Sequence, residues 1–141
     1  LNEICYEANV GDLIHEGYLC KLRSKLGQTQ PDLSNVRRNS GGDYIVNSLA
    51  KSVNKNDVVE QAVAEAVAII VAEHRKSIVF FCVDVEHCKH VAKELARHGI
   101  EAPYVTASTH QRDRDRIASD FKKGRYRALC NVNVYTEGFN A

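Results

Sequence analysis

Small polar side chains follow three apolar runs of the sequence, at places where a strand would end. Run by run, they are Asp84, which follows Val83 at the end of the first run, then Thr106, Ser108 and Thr109, then Asn131, Asn133 and Thr136. Hydroxyls, amides and free backbone N–H groups suit a sugar-phosphate backbone that is gripped without being read for its sequence. The alternative is that the hydroxyls cap helices and the amides close turns, and residue types alone do not decide between the two.

Other kinds of chemistry are poorly represented. The sequence contains neither a GxxxxGK[ST] loop nor a GxGxxG turn, so it lacks the usual cradles for triphosphates and dinucleotides. No Ser-His-Asp or Cys-His arrangement can be placed, and His87, Cys88 and His90 have no second cluster at metal-ligand spacing. In Glu137-Gly138-Phe139-Asn140, glycine permits a close approach and its polar neighbours could face a ligand. We therefore expect no complete active site and no metal site.

The composition is that of one soluble domain. Apolar residues make up 44% of the 141 residues and charged residues 26%, with a net charge of +1. No apolar run is long enough to span a membrane, and the first twenty residues do not resemble a signal peptide. Five cysteines without a CxxC pair favour a reducing, cytoplasmic setting. The arginines between Arg112 and Arg116 alternate with aspartates, which favours a solvated helix face.

The elements that would position the polar residues alternate along the chain from residue 56. Helical spacing of Val59, Val63, Val67 and Ile70 predicts a helix that Asn56 or Asp57 could cap. The segments that follow are SIVFFCV (77–83) as a strand covered on both faces, DVEHCKHVAKELARHG as a helix stopped by Gly99, EAPYVTA as a short strand, THQRDRDRIASDFKKG as a helix stopped by Gly124, and YRALCNVNV as a buried strand. We expect Ser108 or Thr109 to cap the last helix.

Residues 1–55 are less regular and are interpreted as a lead-in to this core. The pattern predicts a short helix from Ile4 to His15, a strand at 17–23, a polar loop, and a helix from Asp43 to Val53. Residues 56–141 then form the domain core. Alternating strands and helices predict an α/β fold, a parallel sheet with helices packed on its faces, in which ligands meet the carboxyl ends of the strands.

Residues 77–141 resemble the second RecA-like domain of superfamily 2 DEAD/DEAH-box helicases, in particular the bacterial RadD-like group. SIVFFCVDVEHCKHVAKEL is similar to motif IV; Thr106, Gln111 with Arg114, and Phe121 with Gly124 match the next conserved stretch; NVNVYTEGFNA is similar to motif V. The resemblance implies a RecA-like parallel sheet sandwiched by helices. It also implies that motif VI would follow residue 141, so that the chain would end before it.

What the resemblance implies about the site follows position by position. Val83, Asp84, Thr106, Asn131, Asn133 and Thr136 would contact the nucleic-acid backbone. Glu137, Gly138 and Asn140 would lie toward an ATP cleft, although the family usually has aspartate where this chain has Asn140. The chain would be one motor lobe, inactive alone, that binds neither ATP nor Mg²⁺ without its partner, the N-terminal RecA-like domain of the same protein.

The partner implied by the resemblance is nucleic acid, DNA ahead of RNA, and not a membrane. Two other functions remain open from the residues themselves. One is a non-catalytic α/β module for a protein or a phosphorylated ligand, because sheets of this order host unrelated functions. The other is a Rossmann-type enzyme acting on a nucleotide sugar, against which the missing glycine fingerprint counts.

Overall fold

The computed structural model describes residues 8–136 of the chain. In chain order, the elements in this range are α1 (Val10–His15), α2 (Val46–Val53), α3 (Asn56–Ala72), β1 (Ile78–Phe81), α4 (Val85–Arg97), β2 (Tyr104–Val105), α5 (Gln111–Lys122) and β3 (Ala128–Asn131). None of the helices in this range is both long and apolar enough to cross a membrane. From residue 56 onward, the predicted alternation of helices and strands is confirmed.

The three strands form one parallel sheet in the order β1-β3-β2. Ile78 pairs with Ala128 across one side of β3, and Tyr104 pairs with Cys130 across the other. Every residue of β3 is buried, because this strand is flanked by both neighbours and covered by helices. This confirms the predicted α/β fold with a RecA-like parallel sheet. It also brings the carboxyl ends of all three strands to one edge.

Helices cover the two faces of the sheet with separate apolar clusters. Successive residues of a strand point to opposite faces, so Cys130 belongs to the cluster formed with α3 and α4. Leu129 belongs to the cluster formed with α5, whose buried contributors are Ile117 and Phe121. The prediction that β1 is covered on both faces is wrong at Phe81. Phe81 is 66% exposed and lines an open apolar groove that Val58 and Val59 of α3 also line.

The C-terminal ends of the helices were predicted from the sequence better than their N-terminal starts. Gly99 and Gly124 both have a positive φ, at 73° and 75°, and they follow α4 and α5 as predicted. The cap predicted for α3 is wrong, because Lys55 occupies the N-cap position and no side chain bonds the helix start. Asn56 is instead the first residue inside the helix.

The lead-in differs most from its prediction. Residues 17–23 form no strand, because no other segment of residues 8–136 pairs with them. Helix α2 begins at Val46 and not at Asp43. The described part of the predicted first helix begins at Val10, and residues 4–7 lie outside the described range. The boundary at residue 55 stays a prediction.

Polar contacts fasten the lead-in to the core. The Glu65 carboxylate on α3 accepts the backbone N–H of Gln28 at 2.8 and 3.0 Å and that of Thr29 at 3.2 Å. These bonds hold the pKa of Glu65 below its usual value. Lys25 also forms an ion pair with Glu73 near the end of α3. The carboxylates of Glu65 and Glu73 therefore hold the segment from 25 to 29 against α3.

Candidate nucleic-acid interface

The segment after β1 is organised around the start of α4. Asp84 is the N-cap, and its Oδ1 accepts the backbone N–H of His87 at 2.8 Å. The His87 ring returns toward the strand, where Nδ1 accepts the N–H of Val83 at 3.3 Å. Burial lowers the pKa of His87, which favours the neutral ring that this acceptor role needs. Asp84 and Val83 are both half-buried, and both form hydrogen bonds with His87 in the first turn of the helix.

The segment after β2 is a loop held together by hydrogen bonds among its own residues. Thr106 is only 3% exposed; its N–H donates to Thr109 Oγ1 at 3.0 Å and its Oγ1 lies 2.9 Å from Ser108 Oγ. The capping prediction for Ser108 or Thr109 is wrong, because His110 is the N-cap of α5 and provides no side-chain cap. Ser108 is the exposed hydroxyl-bearing residue of this loop, and its Oγ is the group that contacts the buried Thr106.

Arg114 holds this loop from the first turn of α5. Its Nε donates to the Thr109 carbonyl at 2.7 Å, and its Nη2 donates to the carbonyls of Ala107 at 2.8 Å and Thr106 at 3.3 Å. A planar guanidinium can serve several acceptors at once in this way. The interpretation of Arg114 as part of a solvated charged face therefore missed its contacts. A signal was present, because Arg114 has helical spacing to the buried Ile117 and Phe121.

The segment after β3 is a turn built on Asn131, which is 0% exposed. Its Oδ1 accepts the N–H groups of Val134 and Tyr135, both at 2.9 Å, and its Nδ2 donates to the Tyr135 carbonyl at 3.3 Å. Both the oxygen and the nitrogen of the amide are thus bonded inside the protein. Asn131 shapes this turn and does not itself reach the surface.

Asn133 and Thr136 are the exposed polar residues of the same turn. Asn133 has a φ of 51°, a left-handed conformation that asparagine tolerates better than most residues. Asn131 bonds the backbone on the far side of the turn, at Val134 and Tyr135, and Asn133 is exposed between them. Glu137, Gly138 and Asn140 lie outside the described residues, so their predicted place at an ATP cleft is not tested.

A hydrogen bond joins this turn to α5. The Tyr135 hydroxyl donates to the Arg114 carbonyl at 2.7 Å, across 21 positions in the sequence. The Tyr135 ring packs against the cluster of Val105, Ile117, Phe121 and Leu129. Burial also raises the pKa of its hydroxyl, which keeps the donating proton in place. Nothing in the sequence spacing pointed to this contact.

The other basic residues from Arg112 to Arg125 divide into two groups, and those after Asp120 lie at the end of α5 away from this edge. Arg116 pairs with Asp113 at 3.2 Å and Arg125 pairs with Asp120 at 3.2 Å. Arg112, Lys122 and Lys123 are exposed. The pairing supports the solvated helix face that the alternating charges favour. Two of the three loops, those after β2 and β3, present Ser108, Asn133 and Thr136 to solvent, with Thr106 and Asn131 buried as their supports.

No group of three or more histidine, cysteine, aspartate or glutamate side chains within residues 8–136 is placed to hold a metal ion. His87 is engaged with Val83, and His90 Nδ1 lies 2.8 Å from Asn54 Oδ1. The two rings therefore serve different local contacts. The polar chemistry of this edge is that of hydroxyls, amides and backbone groups.

Three proteins are similar in sequence to this chain. A protein of Saccharomyces cerevisiae named ATP-dependent helicase IRC3 is 28% identical over 98% of the chain, which spans 20% of that protein. A protein of Schizosaccharomyces pombe named mitochondrial ATP-dependent helicase irc3 is 24% identical over 98% of the chain, spanning 22% of that protein. A 51.5 kDa protein of a Lactococcus phage is 33% identical over 77% of the chain, spanning 23% of that protein.

The chain therefore spans about a fifth of the length of these relatives. The family described as the helicase conserved C-terminal domain matches residues 55–141, which contain all three strands and the three loops at their ends. The family match, the parallel sheet and the order of the motifs all point to the same family. The chain belongs to the helicase conserved C-terminal domain family.

Proposed function

We propose that the chain is the second motor lobe of an ATP-dependent helicase or translocase, and that the loops at the carboxyl edge of its sheet grip a nucleic-acid backbone. The supporting observation is that Ser108, Asn133 and Thr136 are exposed at this edge while Thr106 and Asn131 are buried as their supports. A fixed frame carrying small hydrogen-bonding groups suits phosphates and sugars. Such a grip is largely independent of base sequence.

The roles proposed for individual residues differ. Asn133 and Thr136 contact the strand directly. Thr106 and Asn131 act through the loops that they shape, because both side chains are buried and bonded internally. Val83 and Asp84 act by fixing the start of α4, because the Val83 N–H and the Asp84 carboxylate both bond to His87. The Asp84 carboxylate would repel a phosphate at close range, so we do not propose a direct contact from its side chain.

The proposed helicase uses ATP with Mg²⁺. Two relatives carry ATP-dependent helicase in their names. Glu137, Gly138 and Asn140 follow the turn after β3 directly in the sequence, and we propose that they face one side of a nucleotide bound between two lobes. When bound, Mg²⁺ would neutralise charge on the nucleotide phosphates. The partner is the first RecA-like lobe of the same protein, and closure of the two lobes would alter the grip on the strand.

We propose DNA and not RNA as the strand, and the cytoplasm as the compartment. Four cysteines of the described part, Cys20, Cys82, Cys88 and Cys130, are free thiols, which supports a reducing compartment. One relative has mitochondrial in its name, so cell fractionation is the direct test of the compartment. Competition between oligo(dT) and oligo(U) for the same protein tests the preference for DNA.

The grip is tested with the complete gene product by measuring ATP hydrolysis at increasing concentrations of oligo(dT). Replacing Asn133 by glycine removes the amide without straining the left-handed backbone. With Thr136→Ala added, we expect a higher half-saturating oligo(dT) concentration and an unchanged salt dependence, because neither side chain is charged and the number of neutralised phosphates stays the same. Gln61→Ala, an exposed change on α3, is the matched control. Unchanged binding in the double variant would remove these residues from the grip.

A further inference from the structure

Two of the loops at the sheet edge are connected through one residue of α5. Arg114 holds the loop after β2 through its guanidinium, which donates to the carbonyls of Thr106, Ala107 and Thr109. The turn after β3 reaches the same residue from the other side, where the Tyr135 hydroxyl donates to the Arg114 carbonyl. The side chain and the main chain of Arg114 therefore serve different loops.

The tyrosine is itself held in place from two directions. Asn131 accepts the Tyr135 N–H at 2.9 Å and donates to its carbonyl at 3.3 Å. The ring packs into the apolar cluster beneath α5. With backbone and ring both fixed, the hydroxyl has little freedom, and its 2.7 Å bond to Arg114 sets the distance between the turn and the helix.

We propose that Tyr135 is a positioning residue that locks the turn after β3 to the loop after β2, so that both loops present their exposed groups to a nucleic-acid backbone at a fixed spacing. This inference rests on the function proposed above. Its physical basis is preorganisation, because loops already ordered in the free protein lose less conformational freedom on binding. Ser108 on one loop and Asn133 and Thr136 on the other would then act as one surface.

Loss of this hydroxyl should affect binding more than folding. A helical carbonyl ordinarily accepts the N–H four residues later, and its second lone pair can accept the tyrosine. Without the hydroxyl, the Arg114 carbonyl keeps its helical partner, and a phenylalanine ring fills the same apolar space. The variant Tyr135→Phe therefore removes the link with little change in packing.

The test compares Tyr135→Phe with Tyr126→Phe in the complete gene product. Tyr126 packs against the same cluster, and its hydroxyl forms no hydrogen bond within residues 8–136. We expect Tyr135→Phe to raise the half-saturating concentration of oligo(dT) in the ATPase assay about three- to tenfold, the loss of one hydrogen bond. Turnover at saturating oligo(dT) should change much less. Tyr126→Phe should match the wild type in both quantities.

Hydrogen exchange provides a readout that does not depend on nucleic acid. In the free protein, Tyr135→Phe should speed exchange in peptides covering 104–110 as well as 131–136, although only the second contains the substitution. Faster exchange confined to 131–136 would overturn the link. Equal oligo(dT) dependence of Tyr135→Phe and the wild type would overturn the positioning role.

A second variant covers the case in which Tyr135→Phe does not fold. Arg114→Lys keeps the charge but cannot serve three carbonyls in one plane, and it should raise the half-saturating oligo(dT) concentration in the same way. If both variants fold, their effects should be less than additive, because each breaks the same unit. A wild-type protein that binds no oligo(dT) would overturn the proposed function and the role in binding together, while hydrogen exchange would still decide whether Tyr135 couples the loops.

Discussion

Asp84 and His87 hold each other at the point where β1 passes into α4. The Asp84 carboxylate accepts the His87 N–H at 2.8 Å, and the His87 ring accepts the N–H of Val83, the residue before Asp84. Two backbone donors that the strand end and the helix start would leave unpaired are satisfied by these two side chains. The first of the three edge loops therefore owes its shape to a local reciprocal cap.

Replacing Asp84 by alanine should lower the free energy of unfolding by about 1 kcal/mol, the usual effect of losing an N-cap side chain. The variant Asp84→Asn keeps an acceptor oxygen at this position and should restore most of that stability. Urea denaturation followed by circular dichroism measures both. If the asparagine variant were as unstable as the alanine variant, the negative charge and not the cap would be responsible.

The stability of the chain should fall as pH drops below the ordinary histidine pKa of 6.5, through His87. Burial, the largest cause, lowers the pKa of His87 in the folded state. Between the folded and the unfolded pKa, the unfolded chain binds more protons, so stability rises with pH in that window. The contribution is complete above the unfolded value and is lost as pH falls through the window.

The variant His87→Gln tests this assignment, because glutamine offers an uncharged acceptor to the Val83 N–H and does not titrate. Unfolding measured at a series of pH values from about 5 to 8 should show a shallower acid slope for the variant, by the linkage relation. An unchanged slope would show that the pH dependence does not come from His87.

Replacing Asn131 by alanine should destabilise the chain by about 2 kcal/mol, because the N–H groups of Val134 and Tyr135 lose their acceptor near a buried position. Asn133→Gly is the matched control in the same turn, since Asn133 is exposed and has a φ of 51° that glycine adopts freely. Thermal melting of the two variants side by side makes the comparison. Similar losses of stability for both variants would mean that the Asn131 side chain is no more important to the turn than Asn133.

Removing the Glu65 carboxylate should free the lead-in from α3. In Glu65→Ala, the backbone N–H groups of Gln28 and Thr29 lose their acceptor, and we expect trypsin to cleave after Lys25 several-fold faster under native conditions. Glu60→Ala is the control, because Glu60 lies on the same helix and pairs with Arg97 instead. Equal cleavage rates in both variants would show that the Lys25–Glu73 ion pair suffices to hold the segment.

The sheet and the helix ends could be predicted from local signals, and the lead-in could not. Apolar runs marked β1 and β3, and Gly99 and Gly124 marked the ends of α4 and α5, because both signals act within a few residues. A strand at 17–23 needed a partner strand, and the sequence of a segment does not reveal whether one is present.

At the site, the residue types were predicted better than their roles. Asn131 and Thr106 lie at the predicted edge, but both side chains are buried, and burial depends on how neighbouring segments fold over them. Arg114 carried a readable signal in its spacing to Ile117. Tyr135 carried none, because its contact spans 21 positions and needs the whole helix in place.

Phe81 has a practical consequence for work with this lobe in isolation. Its ring is 66% exposed on β1, a strand whose outer edge has no partner among the described residues. Unpaired edges that carry large apolar side chains promote intermolecular strand association. The chain should therefore associate as its concentration rises, which light scattering measures. The variant Phe81→Lys should place a gatekeeper charge on this edge and raise the solubility of the isolated chain.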